Sequence, residues 1–218
     1  MNFRIVKFSF WLIMMSTAVF CFSRPCVAQD PQPVTVTIET FFAPTPAAPN
    51  PIEDGWLREI NAINAGSTLR ITLYNLTLTT IKDALLAASA RGVDVRAIAD
   101  KFAICNRDGQ LNPLAVELSE AQIPIKLYRN SQFPNDIMHN KFFIIDDRIL
   151  SNGSCNFTAQ GTRFNHENMT IIKVVDGEAV FMQEFISQFE RMWNDDFPFS
   201  GHTFSDWVPL PSDCQGGA

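Results

Sequence analysis

The run from residue 69 to residue 99 constrains the fold more than any other part of the chain. Leu69 to Tyr74 reads as a strand. Thr79 to Arg91 then carries Ile81, Leu85 and Leu86 at helical spacing and stops at Gly92, a residue suited to the position just past a helix. Val93 to Ala99 is a strand again. Strand, helix and strand in such close succession predict a βαβ unit with a right-handed crossover. The class that follows is α/β, a mixed β-sheet flanked by helices.

The remaining pattern extends this frame. Val34 to Ile38 alternates as a strand between Pro-rich stretches at 29–33 and 43–51. Trp56, Leu57, Ile60 and Ile63 recur at helical spacing, which turns Asn61 and Asn64 outward and lets Gly66 end that helix. After the turn Asn106-Arg107-Asp108-Gly109 come a helix over Asn112 to Ala121 and a strand over Ile123 to Tyr128. Phe142 to Ile145 is wholly apolar and suits a buried strand, with Ile149-Leu150 pairing beside it. Met169 to Val175 is a further strand. Glu178 to Asn194 is a helix whose Phe181, Phe185, Phe189 and Met192 form one core-facing stripe. The last 20 residues read as a packed tail.

The first residues read as a targeting segment. Arg4 and Lys7 precede an apolar stretch of 15 residues, Phe8 to Phe22, and a polar segment ends in Cys26-Val27-Ala28. That order predicts a secretory signal peptide, residues 1–28, cut after Ala28, and an exported protein, periplasmic or secreted in a bacterium. An uncleaved anchor is the alternative, although a spanning helix needs about 20 apolar residues. Four glycosylation sequons begin at Asn75, Asn152, Asn156 and Asn168, which fits a bacterial periplasm or medium better than a glycosylating lumen.

Charge and cysteine content narrow the chemistry. The net charge of −6 becomes −9 once residues 1–28 are gone, because that segment holds three basic residues and no acid. Residues 91–163 are at +1 and residues 164–218 at −7. A polyanion-binding protein usually shows a basic excess, so any such partner needs a local positive cleft. Cys105, Cys155 and Cys214 remain, which allows one disulfide in three possible pairings and one spare thiol. No cysteine or histidine cluster has zinc spacing, so no metal or other cofactor is expected.

The informative stretch is His139-Asn140-Lys141, then Asp146, then Gly153-Ser154-Cys155-Asn156, with Glu167 eleven positions on. His139 and Lys141 are two apart before a strand and project to one face. A potential nucleophile therefore sits beside a fixed cation. Gly153, Ser154 and Asn156 fall where the next strand ends, where small and amide residues can approach an oxyanion. Cys155 reads as a packing residue, and His166 and His202 as surface histidines.

These residues resemble the signature of the phospholipase D superfamily, HxKxxxxD followed by Gly-Ser and Asn, and all its elements are present. The Arg91 to Arg96 turn, Ile123-Pro124-Ile125 and the final Phe-Glu-Arg-Met-Trp helix are similar to the single-motif bacterial endonuclease branch, over about residues 36–195. The resemblance implies an α/β/α sandwich over residues 29–198, with residues 199–218 as an added C-terminal tail. It also implies a metal-independent phosphodiesterase working through a phosphohistidine. Two HxK motifs build one site in the family, and this chain has one, so a homodimer with the site on its two-fold axis is implied. His139 is then the nucleophile on one chain and the general acid on the other, and Glu167 orients it. Lys141, Ser154 and Asn156 hold the phosphate, and Asp146 supports the site from behind.

Non-specific cleavage of DNA or RNA is the expected activity. A phospholipase D acting on phosphatidyl headgroups is the competing reading, and a catalytically silent dimer that binds nucleic acid or lipid is the third. No membrane-binding segment in the mature chain favours the nuclease, while −9 favours the lipid enzyme or a smaller substrate. Residues 103–113 are longer than the family pattern expects, and so is the tail beyond Asp196; both reshape the cleft.

Overall fold

Several helix starts are capped by short polar side chains. Asn50 accepts the Ile52 and Glu53 N–H groups just ahead of Pro51, Asn112 accepts that of Leu114 ahead of Pro113, and Asp100 accepts that of Phe102. The computed structural model describes residues 34–45, 50–106, 108–133, 135–197, 201–210 and 214, so the signal-peptide segment 1–28 lies outside the described residues.

In chain order the elements are β1 (Thr35–Ala43), α1 (Pro51–Asn61), β2 (Thr68–Leu73), α2 (Thr79–Ala90), β3 (Asp94–Ala99), α3 (Lys101–Ile104) and α4 (Pro113–Glu120). They continue with β4 (Ile125–Asn130), β5 (Phe142–Ile145), β6 (Ile149–Gly153), α5 (Ala159–Arg163), β7 (Glu167–Asp176), α6 (Val180–Trp193) and β8 (His202–Asp206). Eight strands form one sheet in the order β1-β7-β6-β5-β2-β3-β4-β8. The pairs β2–β3 and β3–β4 are parallel and all others antiparallel, so the expected βαβ unit and the mixed sheet are both present.

A separate apolar core lies on each face. One packs Trp56, Ile60, Leu85 and Leu118 of α1, α2 and α4 against Leu69, Ile71 and Phe143. The other packs Met182, Phe189 and Met192 of α6 against Ile98, Ile144 and Leu150. Successive residues of a strand point to opposite faces, so Phe142 and Ile144 enter one core while Phe143 and Ile145 enter the other. That is why β5 is apolar at every position. The layering is the expected α/β/α sandwich.

The structure departs from the sequence reading where pairing is long-range. β1 runs five residues past Ile38 because it pairs with β7 as far as Ala43 and Glu167. Within the segment expected as a tail, β8 adds an edge strand to β4, and His202 is half-buried there with Nδ1 3.2 Å from the Tyr128 hydroxyl rather than at the surface. Cys105 and Cys214 form the disulfide, and Cys155 is a buried free thiol. No helix among the described residues is long and apolar enough to cross a membrane.

Candidate active site

Five strands converge at one end of the sheet. β2 and β3 finish there, just before Tyr74 and Asp100. β5, antiparallel to β2, begins there with Lys141 immediately ahead of it, and β6 ends where β7 begins with Glu167. The Thr72 hydroxyl clamps this junction, donating to the Phe142 carbonyl at 3.1 Å and accepting the Phe142 N–H at 2.9 Å. The residues before Phe142 are thereby held against the end of β2.

His139 and Lys141 meet on the ring of Tyr74. The imidazole stands edge-on to it with centroids 4.2 Å apart, and the Lys141 ammonium lies 4.5 Å from its centre. Lys141 is only 7% exposed and donates to the His139 carbonyl at 2.6 Å. Burial, opposed by the charges of Glu167, Asp100 and Cys155, brings its pKa down to about 8. Burial and then the Lys141 charge lower that of His139 and favour the neutral imidazole, while Glu167 pulls the other way.

Asp100 fixes the approach to this pair. Its carboxylate is 1% exposed and accepts the Met138 N–H at 2.7 Å and the Phe102 N–H at 3.1 Å. Burial raises its pKa, and those backbone donors work against the rise. Burial likewise pushes the Cys155 thiol up to about 12, so it is a packing group and no nucleophile, as the sequence predicts.

The other expected site residues sort into two groups. Ser154 and Asn156 follow β6 on the site end. The Ser154 hydroxyl donates to Glu167 Oε2 at 2.5 Å and accepts the Asn168 N–H at 3.1 Å. The Asn156 side-chain oxygen is buried without a partner. Glu167 was expected to orient His139 through a ring nitrogen, but its hydrogen bonds go to Ser154 and Asn165. The Glu167 charge still pulls the imidazole pKa upward from that position. Asp146 lies at the far end of β5, roughly 15 Å off at strand rise. There it accepts the Thr68 N–H at 2.8 Å, tying the β5–β6 turn to the start of β2 rather than backing the site. Gly153 serves the sheet, since a Cβ there would collide with the Asn168 carbonyl oxygen and stand 2.9 Å from the Met169 Cα.

A cavity of about 930 Å³ opens beside this cluster, sharing Asp100 and Asn156 with it and reaching Thr203 and Cys214. Tyr74 and Asp100 are the residues that sequence reasoning missed. A signal was available, since both directly follow parallel strands and open α/β sheets bind ligands beyond such ends.

The sequence model of a family described as cardiolipin synthase, PLD-like domain, matches residues 58–193. The chain belongs to the phospholipase D-like family. Its relatives include a mitochondrial cardiolipin hydrolase of Xenopus tropicalis, 27% identical over 66% of this chain and 63% of the relative. A phospholipase D of Rickettsia conorii is 31% identical over 57% of this chain and 58% of the relative. The chain thus spans under two thirds of the length of either. Among solved structures, the phospholipase D family member Nuc of Salmonella typhimurium shares the fold, with a TM-score of 0.63 at 23% identity. That likeness covers 80% of this phospholipase D-like chain and all of Nuc.

Proposed function

We propose that this protein is an exported phosphodiesterase that cleaves DNA or RNA without sequence preference through a phosphohistidine. The observation that carries the reading is the shared Tyr74 ring, with a neutral-leaning imidazole on its edge and a buried ammonium over its face. A neutral His139 ring nitrogen attacks phosphorus as the P–O bond to the leaving group breaks. The departing oxygen takes a proton from the partner's His139 in a homodimer, since each chain has one copy of the motif. Water, deprotonated by that same imidazole, then displaces the histidine and releases the phosphate monoester. The Lys141 ammonium offsets the charge on the non-bridging oxygens, the Asn156 amide N–H donates to them, and the Ser154 hydroxyl joins when its proton turns from Glu167 to the phosphate. In this mechanism Glu167 gathers Ser154 and favours the imidazolium by charge. The Cys105–Cys214 disulfide supports an oxidising, exported setting.

A phospholipid diester is the second reading. It is supported by the names of the relatives and by three exposed apolar residues: Phe42, paired with Asn168 across β1 and β7, and Ile137 and Phe164, close in sequence to His139 and Glu167.

The test is purified protein with plasmid DNA, RNA and phosphatidylcholine or cardiolipin vesicles in EDTA, alongside His139→Ala. Nucleic-acid cleavage that persists in EDTA and vanishes in the variant is expected. Headgroup or phosphatidate release with intact DNA and RNA would move the protein to the second reading, and inactivity on all substrates would sink both.

A further inference from the structure

We propose that the cavity beside Asn156 is a nucleoside subsite, taking the base and sugar next to the scissile phosphate of a single-stranded nucleic acid. The inference rests on the nuclease reading and adds where and how the substrate is held.

The first argument is position. Tyr74 meets the His139 ring at 4.2 Å and the Phe102 ring at 5.4 Å, both edge-on. Phe102 is 44% exposed and lines the cavity. Three rings therefore lead without a gap from the reacting imidazole into the cavity. Asn156 belongs to both, so a phosphate held at that residue has its substituent at the cavity mouth.

The second argument is chemistry. At about 930 Å³ the space lies within the range of small-molecule sites. Asn75, Asn106, Gln160 and Thr203 on its wall offer hydrogen-bond donors and acceptors, and Phe102 offers an aromatic surface. Amides read base edges and an aromatic ring stacks on a base, whereas an acyl chain would leave those amides unsatisfied. A base has to leave its own stack to enter, which selects single strands. Binding through the base also reconciles a nucleic-acid substrate with a mature charge of −9, because affinity need not come from a basic groove.

The third argument is construction. The two segments that depart from the family pattern build the outer wall together. On one side Asn106 donates its N–H to the Gln110 carbonyl at 2.7 Å and Cys105 bridges Leu111. That side is held by the Asn112 side chain, which donates to the Leu76 and Ala103 carbonyls at 2.8 Å. From the tail, β8 supplies Thr203, and Cys214 is bonded to Cys105 across the wall.

The experiment compares a fluorescent single-stranded DNA 12-mer with bis(4-nitrophenyl) phosphate, a diester too small to need the subsite. Thr203→Trp fills the far wall and Phe102→Ala removes the stacking surface. Stacking on one ring is worth about 1–3 kcal/mol, so both variants should raise KM for the 12-mer roughly tenfold. Thr203→Trp should leave hydrolysis of the small diester within about twofold of wild type, which also reports its folding. Unchanged 12-mer KM in Phe102→Ala would overturn the subsite while leaving the nuclease reading intact. A wild type that hydrolyses the small diester but neither DNA nor RNA would instead overturn the nuclease reading, and the subsite with it.

Discussion

The His139 imidazole stands edge-on to the ring of Tyr74, with centroids 4.2 Å apart and planes at 68°. The same ring carries the Lys141 ammonium 4.5 Å from its centre. One residue outside the motif thereby spaces both of the motif's chemical groups, and the consequences can be measured.

Tyr74 should matter through its ring more than its hydroxyl. A cation over an aromatic face in a desolvated site is worth about 1–2 kcal/mol. Tyr74→Phe should keep kcat/KM within about threefold, whereas Tyr74→Ala should lower it about tenfold or more. Steady-state kinetics on bis(4-nitrophenyl) phosphate separate the two, and a larger loss in the Phe variant would assign the role to the hydroxyl.

The pH profile should show a limb near pH 8 set by Lys141. Its pKa is near 8, and the charged form is the useful one, so kcat/KM should fall as pH rises through that value. The proposed mechanism needs one neutral and one protonated His139, and burial holds the imidazole pKa below the ordinary 6.5, so the pair should set an acid limb and a first alkaline limb, both below the Lys141 limb. Lys141→Arg should move the limb near 8 up by about one unit or more and leave the lower pair in place, because a guanidinium stays charged. An unmoved limb near 8 would assign it to another group.

Asp100 should be worth more to stability than an average buried residue. Removing it in Asp100→Ala strands the N–H groups of Met138 and Phe102, at about 2–4 kcal/mol together. Asp100→Asn keeps one acceptor and should lose roughly half as much. Urea unfolding measures both, and equal losses would mean that only one of the two bonds counts.

The disulfide joins residues 109 apart in sequence. Breaking it in Cys105→Ser/Cys214→Ser should cost about 2–4 kcal/mol, and dithiothreitol should cost the wild type the same while leaving the double variant unchanged. A wild type whose stability is unchanged in dithiothreitol would show that the disulfide does not contribute.

The βαβ unit, the apolar run of β5, the α6 stripe and the motif around His139 could all be read from sequence, because each is written in a local spacing. β8 could not, since Thr203 to Asp206 has no strand signal and becomes a strand only by pairing with β4. The surroundings of Asp146 and Glu167 were not legible for a related reason. Spacing brings Asp146 into the motif, but a strand separates it from the site, and Glu167 has a nearer partner in Ser154.

The sequence by itself determined the fold class and the motif that carries His139 and Lys141, because periodicity and residue type are properties of the chain. The tertiary structure alone decided that Tyr74 joins His139 to Lys141, that Asp100 holds Met138, and that the 103–113 segment meets the tail at Cys214. Those contacts span 65, 38 and 109 residues of chain. Contacts at such separations follow from sheet order and strand direction, which no local spacing encodes.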